Sequence, residues 1–163
     1  MKFEIVELED LSGKYATIYS VIVNNDSETL FDIFLNENEA IFYDEINSIY
    51  DTLDQIAHYH GARRQYFKEN EGKLGDLVCA IFDTPDTNLR LYCIRFGTTV
   101  IVLGGGGYKS KEIRALQEDP KLTSENYLIR EISELIYQKM KEKEIFWETD
   151  FELGGNLIID TNE

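Results

Sequence analysis

The chain of 163 residues carries 31 acidic and 16 basic side chains, a net charge of −15, with 43% apolar and 12% aromatic residues. That is long enough to bury one core without staples, and the charge argues against a surface that binds nucleic acid generally. No apolar run approaches the ~20 residues of a membrane helix, and the start, Met1-Lys2-Phe3-Glu4, has no signal-peptide core.

Residues 2–8 (KFEIVEL) and 15–23 (YATIYSVIV) are rich in β-branched and aromatic residues and predict two strands. Ser12-Gly13 between them predicts a turn, hence an N-terminal hairpin over 1–24. After Asn24-Asn25-Asp26-Ser27 a helix is expected, with Leu30, Phe31, Phe34 and Leu35 on one face. A clearer helix spans about 43–59, where Ile46, Ile49, Tyr50, Leu53, Ile56 and Ala57 recur at helical spacing and Gly61 is placed to stop it.

Residues 62–75 read as irregular and partly basic. Three strands follow at 76–83, 88–96 and 98–103, joined by Thr84-Pro85-Asp86-Thr87 and a turn at Gly97. Such short connections make them antiparallel neighbours. The third strand runs into Gly104–Gly107. A short helix at 110–118, ended or followed by Pro120, and a long helix at about 124–143 come next. The long helix carries a stripe of Leu128, Ile129, Ile132, Leu135, Ile136 and Met140, with lysines at its end. Residues 146–163 form either a hairpin around Gly154-Gly155 or a loosely docked acidic tail. The order β-β-α-α-β-β-β-α-α predicts one α+β domain over 1–145, with two helices beside a mostly antiparallel sheet.

Cys79 and Cys93 lie in apolar strand-like runs and read as buried thiols of a reducing, cytoplasmic compartment. His58 and His60 have no ligand partners at metal-site spacing, and no nucleophile elbow or paired-carboxylate site is present, so neither metal nor cofactor is expected. Charge is unevenly spread. Between Gly61 and Arg114 nine bases face six acids, a net +3, which leaves −18 for the remainder.

Within that basic centre, Gly104-Gly105-Gly106-Gly107-Tyr108-Lys109-Ser110 follows a strand and precedes a helix, the setting of a phosphate loop. The loop needs glycine immediately before Lys-Ser, and Tyr108 stands there. A bend that brings backbone close to the long helix or to a ligand phosphate is the other reading, with Ser110 as N-cap beside Lys109 and Lys111. Arg90 and Tyr92 share one face of the middle strand; Arg95 falls on the other. Arg90 either pairs with Asp76 or Asp83 or faces a ligand. Arg63 and Arg64 either complement the end of the preceding helix or grip a phosphate backbone. His58 and His60 lie at the same helix end, where capping is the expected role.

The stretches GARRQYFKENEGKLGDLVCAIFD and NLRLYCIRFGTTVIVLGGGGYKSK carry a basic loop, a three-strand meander with a mid-strand arginine, and a basic segment opening a helix. In that order of features, over about 15–117, the chain resembles the RelE/ParE superfamily, especially its HigB or phage-protein-like branch. The resemblance implies a RelE-like sheet, to which the N-terminal hairpin and the C-terminal helix would be additions. It also implies the toxin of a type II toxin–antitoxin module, a metal-independent mRNA endoribonuclease that clamps phosphates with Arg and Lys. An antitoxin protein would be its partner, and mRNA or the ribosome its target. By position, Arg90 matches the mid-strand arginine, and Lys109 and Lys111 the basic segment after the last strand. Arg63, with neighbouring Arg64, and Lys68 match basic positions before the meander; Tyr108 or Tyr92 would stack on a base or supply a proton.

This sequence departs from the family in three ways. Val78, Cys79 and Ala80 stand on the first meander strand, where family ribonucleases often carry lysines. The chain is acidic and longer than such toxins. A long helix and acidic tail follow, which could cover the cleft as an in-chain shield. The alternative is therefore a RelE-like protein-interaction module that has lost ribonuclease activity; an anion-binding module using the glycine run is the third reading.

Overall fold

The computed structural model describes residues 1–68, 77–81, 88–109 and 119–162. Strands β1 (Lys2–Glu7) and β2 (Thr17–Val23) pair antiparallel, with Phe3 opposite Val23 and Glu7 opposite Tyr19. Their connection is a structured loop rather than a tight turn at Ser12-Gly13. The Ser12 hydroxyl donates to the Leu8 carbonyl (3.0 Å) and accepts from the Ile18 amide (2.9 Å).

Helix α1 (Leu30–Asn38) starts at a reciprocal capping box between Thr29 and Asp32. Helix α2 (Tyr43–Gln55) buries Ile46, Ile49 and Leu53, then widens into a single π-turn, Ile56–His60. Gly61, at φ 80°, ends it and donates its N–H to the Ile56 carbonyl. The helix expected over 43–59 is thus present, with its last turn changed in pitch.

Strands β3 (Phe67–Lys68), β4 (Val78–Ile81), β5 (Leu89–Phe96) and β6 (Val100–Tyr108) follow as an antiparallel meander. β3 lies in the stretch expected to be irregular; two residues carry too little alternation to announce a strand. Helix α3 (Pro120–Lys141), strands β7 (Ile145–Thr149) and β8 (Glu152–Gly155) and strand β9 (Ile158–Asp160) complete the chain. α3 begins earlier than the apolar stripe suggests. Pro120 opens it, and the Asp119 carboxylate caps it by accepting from the Leu122 amide (3.0 Å). The helix expected at 110–118 lies outside the described residues.

Seven strands form one sheet in the order β3-β4-β5-β6-β2-β1-β9, and β7-β8 form a separate pair. Every pairing is antiparallel except β2 with β6. The connection from β2 to β6 runs through α1, α2 and strands β3 to β5, ample length for a parallel return. The fold is therefore α+β and mostly antiparallel, as the element order predicts. The acidic C-terminal segment is not a loose tail. Its hairpin turns at Asp150-Phe151 rather than at Gly154-Gly155, and Ile159 is buried where β9 pairs with β1.

The sheet has a core on each face. One packs Ile18, Leu91, Cys93, Ile101 and Leu103 against Phe31 and Phe34 of α1 and Ile46, Ile49 and Leu53 of α2. The other packs Phe3, Tyr19, Tyr92, Ile94, Val100 and Val102 against Ile129, Ile132 and Ile136 of α3 and Leu153 of β8. Side chains two apart on a strand share a face, which explains the strict division. Cys79 and Cys93 are directly opposed across β4 and β5, buried and free, with sulfurs 3.5 Å apart. Burial pushes the Cys93 thiol well above its ordinary value, with the neighbouring Cys79 adding to the shift.

Candidate functional site

The glycine run is strand, not loop. Gly104–Gly107 lie inside β6, fully buried, where pairing slips by one residue opposite Tyr92. A Cβ on Gly104 would stand 2.9 Å from Ile129 Cδ1, and one on Gly107 would stand 3.2 Å from Lys121 Cγ. A Cβ on Gly105 would collide with the Glu125 carboxylate. The glycines are thus the floor on which α3 rests. Of the two readings of this run, close approach of the long helix is the one observed. The helix side of the seam is pinned by Lys121 Nζ, which binds Glu125 Oε1 at 2.8 Å and Glu37 Oε1 of α1 at 3.3 Å.

Of the described residues matched to a ribonuclease site, Arg90, Lys68 and, by register, Lys109 share one sheet face, and Tyr108 does not join them. Arg90 sits opposite Gly107, on the face that α3 covers, and it engages another group in the chain. Asp76 and Asp83, its proposed partners, lie outside the described residues, as does Lys111. Lys68 shares the Arg90 face. Lys68 aligns with Ala80 and so with Tyr92, two strands away and one repeat along, about 12 Å between Cα atoms. Tyr108 lies opposite Leu89 and hence on the other face, where its ring stacks on Phe42 at the start of α2 (5.5 Å between centroids). Lys109 is half-buried at the strand end, its amide donating to the Asn88 carbonyl at 2.5 Å. Tyr92 was expected to meet RNA, yet it is 0% exposed. It belongs to the α3-side core, with no surface from which to stack on a base.

Arg63 and Arg64 are exposed beyond the end of α2. Arg63 Nε donates to the His60 carbonyl at 2.9 Å, so its observed role is to complement a helix end. His60 Nδ1 pairs with the Tyr66 hydroxyl, and the two rings stack. Arg95 lies on the face opposite Arg90, as alternation predicts. It ties this corner to the sheet through a 2.6 Å bond to the Ala62 carbonyl and a stack over Phe67.

The covering by α3 is apolar rather than electrostatic. Leu122, Ile129, Ile132 and Ile136 are each no more than 2% exposed. α3 is a layer of the core, not a removable acidic shield.

A concave site lies elsewhere, and sequence reasoning passed over it. A groove of about 530 Å³ opens between the β1–β2 connection and the α1–α2 pair. Leu8, Leu11, Phe31, Leu35 and Tyr50 make its apolar floor; Glu7, Glu9, Asp10 and Asp32 line it with carboxylates. Burial, with repulsion from Glu9 and Glu152, raises the Glu7 carboxyl above its ordinary value. Burial, then Glu39 and Asp32, raises the Tyr50 hydroxyl and keeps it a neutral donor. The signal available in the sequence is Glu7-Leu8-Glu9-Asp10-Leu11, acids interleaved with leucines where a plain turn is expected.

Among the described residues no group of three or more His, Cys, Asp or Glu side chains is placed to hold a metal ion, and no helix is long and apolar enough to cross a membrane. No family model, curated protein or solved structure matches this chain.

Proposed function

We propose that the chain is a protein-interaction module on a RelE-like α+β core, without ribonuclease chemistry. The reading rests chiefly on one observation: α3 lies directly on the glycine half of β6, over the face that carries Arg90. Cleavage by phosphate clamping needs several cations converging on an open cleft, preorganised around the scissile phosphate. Here Arg90 lies on the covered face, Tyr108 faces the other side, Tyr92 is in the core and Arg63 is engaged at a helix end. β4 contributes Val78, Cys79 and Ala80 instead of lysines. The net charge of −15 adds long-range repulsion of RNA.

Induced expression in a bacterial host tests the reading. The native chain and Arg90→Ala/Lys109→Ala, both folded and abundant, are expected to leave growth and mRNA intact. Growth arrest with mRNA cleavage by the native chain, abolished in the double variant, would overturn it in favour of a toxin. Arrest by both without RNA cleavage would fit a module that sequesters a host protein.

A further inference from the structure

We propose that the groove between the β1–β2 connection and the α1–α2 pair docks a basic, amphipathic segment of a partner protein. Lysine or arginine heads would meet Glu7, Glu9, Asp10 and Asp32, while the partner's apolar side chains would rest on Leu8, Leu11 and Leu35. This inference rests on the interaction-module reading and names the partner's chemistry.

Charge complementarity carries the argument. The four carboxylates line one concavity, and none takes part in an ion pair among the described residues, whereas Glu37, Glu125, Glu142 and Glu144 all do. Asp32 spends one oxygen on its own helix start, accepting from the Thr29 amide at 3.2 Å. The Glu7 carboxyl is raised first by burial and then by repulsion from Glu9 and Glu152, which agrees with the crowding of like charges there.

Shape supplies the second part. At about 530 Å³ the groove holds several side chains at once. Its floor is continuous with the core beneath α1 and α2. A bare metal ion would gain nothing from that floor, whereas a peptide with leucine-like residues beside its cations would use both parts. The wall is also preorganised. Ser12 bridges Leu8 and Ile18, and the Leu11 amide donates to the Leu8 carbonyl at 3.0 Å, so little ordering accompanies docking.

Fluorescence anisotropy on the full chain tests this with a short labelled peptide alternating lysine and leucine. The native chain is expected to bind it, more weakly as salt rises. Glu7→Gln/Glu9→Gln/Asp10→Asn should weaken binding about tenfold. A charge-matched control away from the groove, Asp44→Asn/Asp51→Asn/Glu131→Gln, should leave it unchanged. A peptide alternating lysine and serine should bind about tenfold more weakly than the leucine peptide. Equal losses in the two triple variants would reduce the binding to diffuse attraction by net charge and overturn the inference. Equal affinity for the two peptides would overturn it as well, since the floor would then be idle. Neither result touches the interaction-module reading, which stands or falls on growth and RNA cleavage by the Arg90 and Lys109 variants.

Discussion

From Val100 to Leu103, strand β6 sends side chains alternately into the two cores, whereas from Gly104 to Gly107 it sends none. Both halves are fully buried. The first half is stabilised by its own apolar area. The second is stabilised by what its missing side chains admit: Ile129, Glu125 and Lys121 reach the backbone itself. The difference teaches that a glycine run after a strand need not be a ligand loop. Here it sets the distance at which a helix lies on a sheet, and so decides what becomes of the Arg90 face.

Three changes in β6 break or sharpen that comparison. Leu103→Ala in the side-chain half should be the most damaging, about 4 kcal/mol in chemical denaturation, because it opens a cavity at a site with 0% exposure. Gly106→Ala in the glycine half should cost about 3 kcal/mol in the same assay. Its Cβ would run into the backbone carbonyl of Arg90, which cannot swing away as a side chain can. Gly107→Ala, one residue on, should stay within about 0.5 kcal/mol of the native chain. Its nearest neighbour is the flexible Lys121 Cγ at 3.2 Å, and it gains from a less free unfolded backbone. If both glycine variants cost the same, the clash with the Arg90 carbonyl is not what requires glycine at 106.

Asp119→Ala should cost about 1 kcal/mol by removing the cap of the helix that rests on those glycines. Its effect on melting temperature should be largest at low salt, where the helix dipole is least screened. Glu7→Gln should have the smallest effect. The Glu7 carboxyl is raised by burial and by Glu9 and Glu152. A raised group favours the folded state while protonated. That contribution is fully present below the unfolded-chain value near 4.5 and is lost as pH rises through the folded value. Glu7→Gln should therefore flatten the decline in stability above that pH and raise the neutral-pH melting temperature slightly. A lower neutral-pH melting temperature would contradict the sign.

Much of the fold was legible in the chain because it rests on local periodicity. Ile46, Ile49 and Leu53 marked α2, the Ile129–Ile132–Ile136 spacing marked α3, and β4, β5 and β6 were visible as β-branched runs between turn residues. Less legible were features that depend on a remote partner. β3 is strand only because Phe67 and Lys68 pair with Ile81 and Ala80. β9 is strand only because β1 offers an edge. The candidate site was the least legible. Arg90 and Tyr92 were correctly placed on one face, but alternation along a strand says nothing about what covers that face.

By itself the sequence determined the element types, the α+β class, the burial of Cys79 and Cys93 and the pairing of β1 with β2. Each follows from side-chain period, turn chemistry or short-range connection, which act within a few residues. Tertiary structure alone decided that β6 returns parallel to β2, that α3 rather than a phosphate meets the glycines, and that Tyr92 is core. It also gathered Glu7, Glu9 and Asp10 with Asp32 around one apolar floor. Those outcomes depend on contacts between segments far apart in the chain, and they are set by which face each segment can bury against which, a property of the packed whole rather than of any one stretch.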